Sequence, residues 1–134
     1  SAEGLEIEFR LENLSEISFE DNSFDLVICA LALAHVKDPT IPCQEFIRVL
    51  RSGGNLIITD LHPFAQKEMG PEYEWELIEG QAPVLFPNYH SNADDYLEAV
   101  ELVGAELVAV LDIPMKLKEE LFPGALIVWA KKTE

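Results

Sequence analysis

The sequence predicts an open α/β sheet built around one parallel crossover, and three observations carry that prediction. Residues 19–60 read in turn as acidic turn, buried strand, loop, amphipathic helix, paired glycines, buried strand and terminal carboxylate. That order describes a strand–helix–strand unit, which collects ligands at the carboxyl ends of its strands. Two later segments, Leu107–Leu111 and Ala125–Ala130, read as strands joined through Pro114, Pro123 and Gly124. They fit an antiparallel pair at one sheet edge. Finally, no glycine-rich nucleotide loop appears anywhere in the 134 residues, a length short for a complete doubly wound fold.

Each element has its local reason. Leu5, Ile7, Phe9 and Leu11 alternate with Glu6, Glu8 and Arg10, the pattern of a short strand with one wet face. Residues 12–23 are polar and end in the turn signal Glu20-Asp21-Asn22-Ser23. Phe24–Cys29 is apolar on both faces after Asp25, as a parallel strand covered by helices requires. A helix is predicted to start near Thr40, capped by its hydroxyl, with Pro42 in the first turn where its missing N–H costs nothing. Cys43, Phe46, Ile47 and Leu50 recur at helical spacing as the buried stripe. Arg48 and Arg51 lie where the helix dipole favours cations. Gly53-Gly54 is predicted to stop the helix and reverse the chain into strand Leu56–Ile58, with Asp60 at its end.

Residues 61–90 change character. Four prolines interleave with Phe64, Tyr73, Trp75, Phe86 and Tyr89, predicting an irregular aromatic segment with one short strand near Trp75–Ile78. Ser91 and Asp94 form a capping box for a helix carrying Tyr96, Leu97, Val100 and Val103, closed by Gly104. No repeat, low-complexity tract or domain boundary interrupts the chain, so residues 1–134 are expected to form a single partial domain.

Composition narrows function. Twenty-five acidic residues against nine basic ones give a net charge of −16, which repels nucleic acid and anionic membranes in the absence of a basic cluster. No apolar run reaches the length of a membrane helix, so neither nucleic acid nor membrane is an expected partner. Cys29 and Cys43 fall in a strand and a helix rather than a disulfide framework, which suits a reducing, cytoplasmic setting. His35, His62 and His90 lack metal-site spacing, so no metal is expected.

The candidate site gathers at the strand ends. Asp60, exposed by position, either contacts a substrate or caps the next turn. His35, in the loop after the central strand, either lines a pocket or closes that loop. His62 is a candidate proton acceptor near neutral pH. Phe64, Trp75, Phe86 and Tyr89 are candidate apolar walls for a small-molecule substrate.

The segment Ser18-Phe19-Glu20-Asp21-Asn22-Ser23-Phe24-Asp25-Leu26-Val27-Ile28-Cys29 resembles the corresponding stretch of S-adenosylmethionine-dependent methyltransferases with a Rossmann-like fold. The likeness continues through Leu31–Val36, Glu45–Gly54 and Leu56–Ile58, then through His90-Ser91 and the two closing strands. It implies a truncated Rossmann-like sheet, the back half of the family's order 3-2-1-4-5-7-6, with flanking helices and strands equivalent to 3, 4, 5, 6 and 7. It further implies S-adenosylmethionine as cofactor of the full-length domain, with Asn13 and Leu14 beside the adenine and Cys29, Ala30 and Leu31 beside the methionine moiety. His35 and His62 are then the candidate catalytic residues, and Asp60 with the aromatic residues the substrate contacts.

Two departures stand out. The family's first strand with its glycine loop, and the second-strand acidic residue that grips the ribose, have no counterpart in the sequence. Without strands one and two, the edge of Phe24–Cys29 is expected to be covered by Leu5–Leu11 or by a second chain, hence a homodimer. The residues leave three readings: the carboxyl-terminal portion of a methyltransferase catalytic domain, inactive alone; a non-catalytic interaction domain with the same fold; or a flavodoxin-like or dehydrogenase module, which fits residues 18–36 less well.

Overall fold

The computed structural model describes residues 4–62, 72–75, 78–87, 89, 93–117 and 119–134; the side chains of 72–75, 86, 87, 117 and 122 lie outside that description. The described residues form six strands and two α-helices. Strand β1 is Phe24–Ala30, helix α1 is Thr40–Val49 and β2 is Leu50–Leu61. β3 (Glu72–Trp75) and β4 (Val84–Pro87) form a separate two-stranded antiparallel ribbon. Helix α2 (Asp94–Leu102) leads into β5 (Glu106–Leu117) and β6 (Glu120–Lys131). The main sheet has the order β1-β2-β6-β5.

β1 and β2 run parallel, with Cys29 opposite Ile58, whereas β6 runs antiparallel to both β2 and β5. Inserting the last strand, reversed, between β2 and β5 reproduces the predicted 4-5-7-6 portion of the sheet. The closing antiparallel pair is therefore as predicted but longer. Pro114 sits on the edge strand β5 at a register shift, one of the few places in a sheet where a missing N–H is tolerated.

The predicted strand Leu5–Leu11 is the main correction. Residues 5–11 join no ladder, and Leu5, Ile7, Phe9 and Leu11 are 52–104% exposed. The alternating pattern is present, but the segment does not pair with the open edge of β1, whose one described partner is β2. β1 is thus an edge strand and not the helix-covered central strand its composition predicted, with Leu26 and Ile28 more than half exposed.

Helix α1 also starts differently. Pro39 is the N-cap residue and no side chain caps the helix, so the Thr40 hydroxyl does not fill its predicted role; Asp38 Oδ1 accepts the Thr40 N–H at 3.0 Å, and Pro42 lies buried in the first turn as predicted. The helix ends at Val49, before the glycines, with Leu50 already extended. Its last carbonyls are satisfied from outside the helix: Asn22 and Ser23 N–H donate to Arg48 and Val49 carbonyls, and Lys132 Nζ donates to that of Leu50. Arg48 does more than complement a dipole. Its guanidinium donates to the carbonyls of Ile17 and Phe19 and to Asp21 and Glu45, while Glu45 accepts the Ile17 N–H. These contacts hold the Glu45 carboxyl below its usual range, chiefly through the Arg48 hydrogen bond.

Helix α2 closes as predicted. Gly104 is left-handed at φ +76°, its N–H donates to Glu101, and Ala105 N–H donates to Val100, the paired bonds of a Schellman motif. The core lies on one face of the sheet, where Cys29, Leu56, Ile58, Leu126 and Val128 meet Cys43 and Phe46 of α1 and Tyr96, Ala99 and Val100 of α2.

Candidate functional site

The parallel strands β1 and β2 end side by side, and the turns beyond their carboxyl ends build the site. At the end of β1, Leu31 donates its N–H to Thr59 at 2.8 Å and then turns with φ +56°. A bulky residue adopts that conformation at a cost of about 1–2 kcal/mol, and such strain clusters where a chain end is shaped for function. Leu31 is 59% exposed there. The chain then forms a 3-10 turn over Leu33–His35, with Leu33 and Ala34 buried.

Asp60 holds this turn in place. It is 4% exposed, and its Oδ2 accepts the Ala34 N–H at 3.0 Å and the Tyr96 hydroxyl at 2.9 Å, while Oδ1 accepts the Leu61 N–H at 2.8 Å. The sequence placed Asp60 at an exposed strand end; the structure buries it as a latch between β2, the turn after β1 and α2. A buried carboxylate requires such donors. Helical spacing marks Tyr96 as part of an apolar stripe. Its hydroxyl gives it this second role, which helical spacing does not reveal.

His35 ends the 3-10 turn, half-buried, with its N–H on the Ala32 carbonyl. His62 comes directly after β2, its N–H on Gly124 and its Nε2 3.1 Å from Asp112 Oδ1 on β5. The structure therefore pairs a candidate proton acceptor with a carboxylate that the sequence did not single out. The signal was available: Asp112 is the one charge between Leu111 and Ile113. Tyr89 N–H donates to Ala34 at 2.8 Å, tying the end of the aromatic segment to the same turn. Tyr89 itself is exposed and, with Lys37, Thr40, Asp95 and Glu98, lines a cleft of about 450 Å³ between the helices. Trp75 and Phe86 lie on β3 and β4, their side chains outside the described ones, and Phe64, His90 and Ser91 lie outside the described residues.

Asn13 and Leu14 sit in a tight turn ahead of β1 in the chain. Asn13 Oδ1 accepts the Ser15 N–H, its carbonyl accepts Glu16 N–H, and Leu14 packs against the core. Burial pushes the Cys29 thiol up to about 11 and the Cys43 thiol up to about 12. Neither is a nucleophile at neutral pH. Native protein at pH 8 is expected to resist iodoacetamide at both thiols and to label fully only when unfolded. Mass spectrometry showing rapid native labelling of Cys29 would refute its burial. Among the described residues no cluster of three His, Cys, Asp or Glu side chains could hold a metal, and no helix is long and apolar enough to cross a membrane.

The methyltransferase-domain family model matches residues 1–58, spanning the turn, β1, α1 and most of β2. The chain also matches solved structures over nearly its full length. An S-adenosylmethionine-dependent methyltransferase from Mesorhizobium loti superposes with a TM-score of 0.68 at 18% identity, covering 90% of this chain and 68% of that one. The chain has the fold of S-adenosylmethionine-dependent methyltransferases. A ubiquinone biosynthesis O-methyltransferase from Xanthomonas oryzae pv. oryzae is 32% identical over 79 residues, 55% of this chain and 33% of that protein. A demethylmenaquinone methyltransferase from Paenarthrobacter aurescens is 28% identical over 103 residues, 75% of this chain and 39% of that protein. The chain thus spans about a third to two fifths of the length of these relatives.

Against a methyltransferase cofactor, the residues present fit in part. Ala30 ends β1 exposed and Leu31 follows it, more than half exposed, where the resemblance would set the methionine moiety. Nothing in the sequence supplies a glycine loop through which backbone could approach the cofactor closely.

Proposed function

We propose that this chain forms the carboxyl-terminal portion of the catalytic domain of a small-molecule methyltransferase. The observation that carries the reading is the reversed β6 between β2 and β5, beside a parallel β1–β2 pair whose ends carry Leu31, His35 and His62. In this reading Ala30, Leu31, Asn13 and Leu14 face S-adenosylmethionine, whose sulfonium supplies the electrophilic methyl when bound. His62, oriented by Asp112, accepts the proton of the acceptor nucleophile, or His35 does so from the adjoining turn. The aromatic segment, tied to the site through Tyr89, supplies the apolar wall. The net charge of −16 favours neutral or cationic acceptors over anionic ones. A second reading, an interaction domain without catalysis, draws support from the exposed apolar side chains of β1.

Titration of isotope-labelled chain with S-adenosylmethionine separates these readings by amide chemical shifts. The partial site is expected to bind in the millimolar range, about −4 kcal/mol, with shifts concentrated at Leu14, Ala30 and Leu31. Shifts scattered over the surface, or none at saturating ligand, would sink the cofactor assignment. Micromolar affinity would sink the claim that the site is incomplete.

A further inference from the structure

The guanidinium of Arg48 has five N–H donors, and all five are engaged. Nε donates to Glu45 Oε1 at 3.0 Å, while Nη2 donates to Glu45 Oε2 at 2.9 Å and to the Ile17 carbonyl at 2.7 Å. Nη1 donates to the Phe19 carbonyl and to Asp21 Oδ1, both at 2.8 Å. Glu45, gripped by that fork, accepts the Ile17 N–H on Oε2 at 2.8 Å. Among the described residues, every hydrogen bond from residues 4–19 to the rest of the chain ends on one of these two side chains. The segment joins no sheet. Its other anchors are apolar, Leu14 and Ile17 against the core and the Phe19 ring edge-on to Phe24. We propose, resting on the reading in which Asn13 and Leu14 face S-adenosylmethionine, that Arg48 and Glu45 are positioning residues for that cofactor: they fix where the Asn13–Glu16 turn sits.

The path of the chain links this clamp to the turn. From Ser23, whose N–H donates to the Val49 carbonyl, back to Ile17, whose N–H reaches Glu45, the chain follows the last turns of α1. Asn13 and Leu14 come just before, in a turn closed by its own bonds: Ser15 N–H to Asn13 Oδ1 and Glu16 N–H to the Asn13 carbonyl. The turn is thus a compact unit attached at Ile17, and moving Ile17 moves Asn13. The clamp holds three backbone groups, the Ile17 N–H and carbonyl and the Phe19 carbonyl, so it fixes the direction of the chain as well as its place. Ion pairing alone would do neither. The side chains of Arg48 and Glu45 are 30% and 20% exposed, where a pair contributes little to stability. Lysine could not replace the arginine, because an ammonium has three donors on a point charge and no planar fork.

Amide exchange and titration with S-adenosylmethionine, both on the whole isotope-labelled chain, test this. In Arg48→Gln the Ile17 amide should exchange about tenfold faster, while Leu26–Ala30 keep their protection. At saturating ligand the shift at Leu14 should be largely lost, whereas those at Ala30 and Leu31 persist, a split that a general loss of stability does not produce. Arg48→Lys keeps the charge without the fork and should behave as Arg48→Gln does. Arg51→Gln removes the same charge from β2, where Arg51 meets the exposed Asp25 at 3.0 Å, and should match wild type. Glu45→Gln, milder because its amide oxygen still accepts a hydrogen bond, should affect the same residues less and serves if Arg48→Gln fails to fold. Wild-type Ile17 exchange and Leu14 shifts in Arg48→Gln would overturn the proposal, as would parallel losses at Leu14, Ala30 and Leu31. A wild-type chain with no shift anywhere would instead remove the cofactor reading, and the positioning role with it.

Discussion

Replacing Asp60 by alanine is expected to cost about 4 kcal/mol of folding stability, a large share of what a domain of this size possesses. The loss is not that of a favourable ion. It comes from the Ala34 N–H and the Tyr96 hydroxyl, both of which give up their acceptor inside the core. A buried donor without a partner costs about 1–3 kcal/mol. The cavity left by the carboxylate adds to this. Guanidinium unfolding followed by far-ultraviolet circular dichroism measures it.

Two milder variants discriminate the cause. Asp60→Asn keeps one acceptor oxygen and turns its amide toward a second donor, so an intermediate loss of about 2 kcal/mol is expected. Tyr96→Phe removes one donor and leaves Asp60 bonded to Ala34 and Leu61, for a loss of about 1 kcal/mol. The predicted ranking is Ala worst, then Asn, then the tyrosine variant. Should Asp60→Ala match Tyr96→Phe, the latch would not be holding the turn after β1, and a direct substrate role for Asp60 would regain weight.

The latch also shows what sequence does and does not disclose. Period and turn chemistry placed β1, α1, the core of β2, α2 and the closing pair, because each is dictated by which residues must be buried and which must bend. Gly104 announced its left-handed C-cap, and the Leu107–Leu111 and Ala125–Ala130 segments announced their pairing. Contacts between distant elements carry no such local mark. Asp60 reaches a hydroxyl 36 residues away, and Arg48 gathers carbonyls about 30 residues before it. Asp112 reaches His62 only because β6 brings β5 alongside the end of β2. The failed strand at Leu5–Leu11 teaches the converse: alternation alone does not make a strand, even with the edge of β1 open beside the sheet.

The paired glycines, read from sequence as one helix-stopping device, are expected to separate into two unequal roles. Gly53 has φ +79° with nothing within 4 Å of an added Cβ, so Gly53→Ala should lose about 1 kcal/mol for backbone strain alone. Gly54 has no left-handed requirement but no room either. A Cβ there would lie 2.8 Å from the Arg51 carbonyl oxygen, 2.9 Å from Leu50 Cδ2 and 3.0 Å from the Asp25 carbonyl oxygen. Two of these three are backbone atoms, and Leu50 is fully buried, so none can withdraw cheaply. Asp25 sits at the register shift that starts the β1–β2 ladder, which means the clash pushes on the parallel pair itself. Gly54→Ala is therefore expected to lose about 3 kcal/mol, with faster amide exchange across Leu26–Ala30, whereas Gly53→Ala leaves those amides protected. Equal losses for the two variants would show that β1 does not depend on the close passage at Gly54. The parallel pair would then have to be anchored from its other end, where Leu31 meets Thr59.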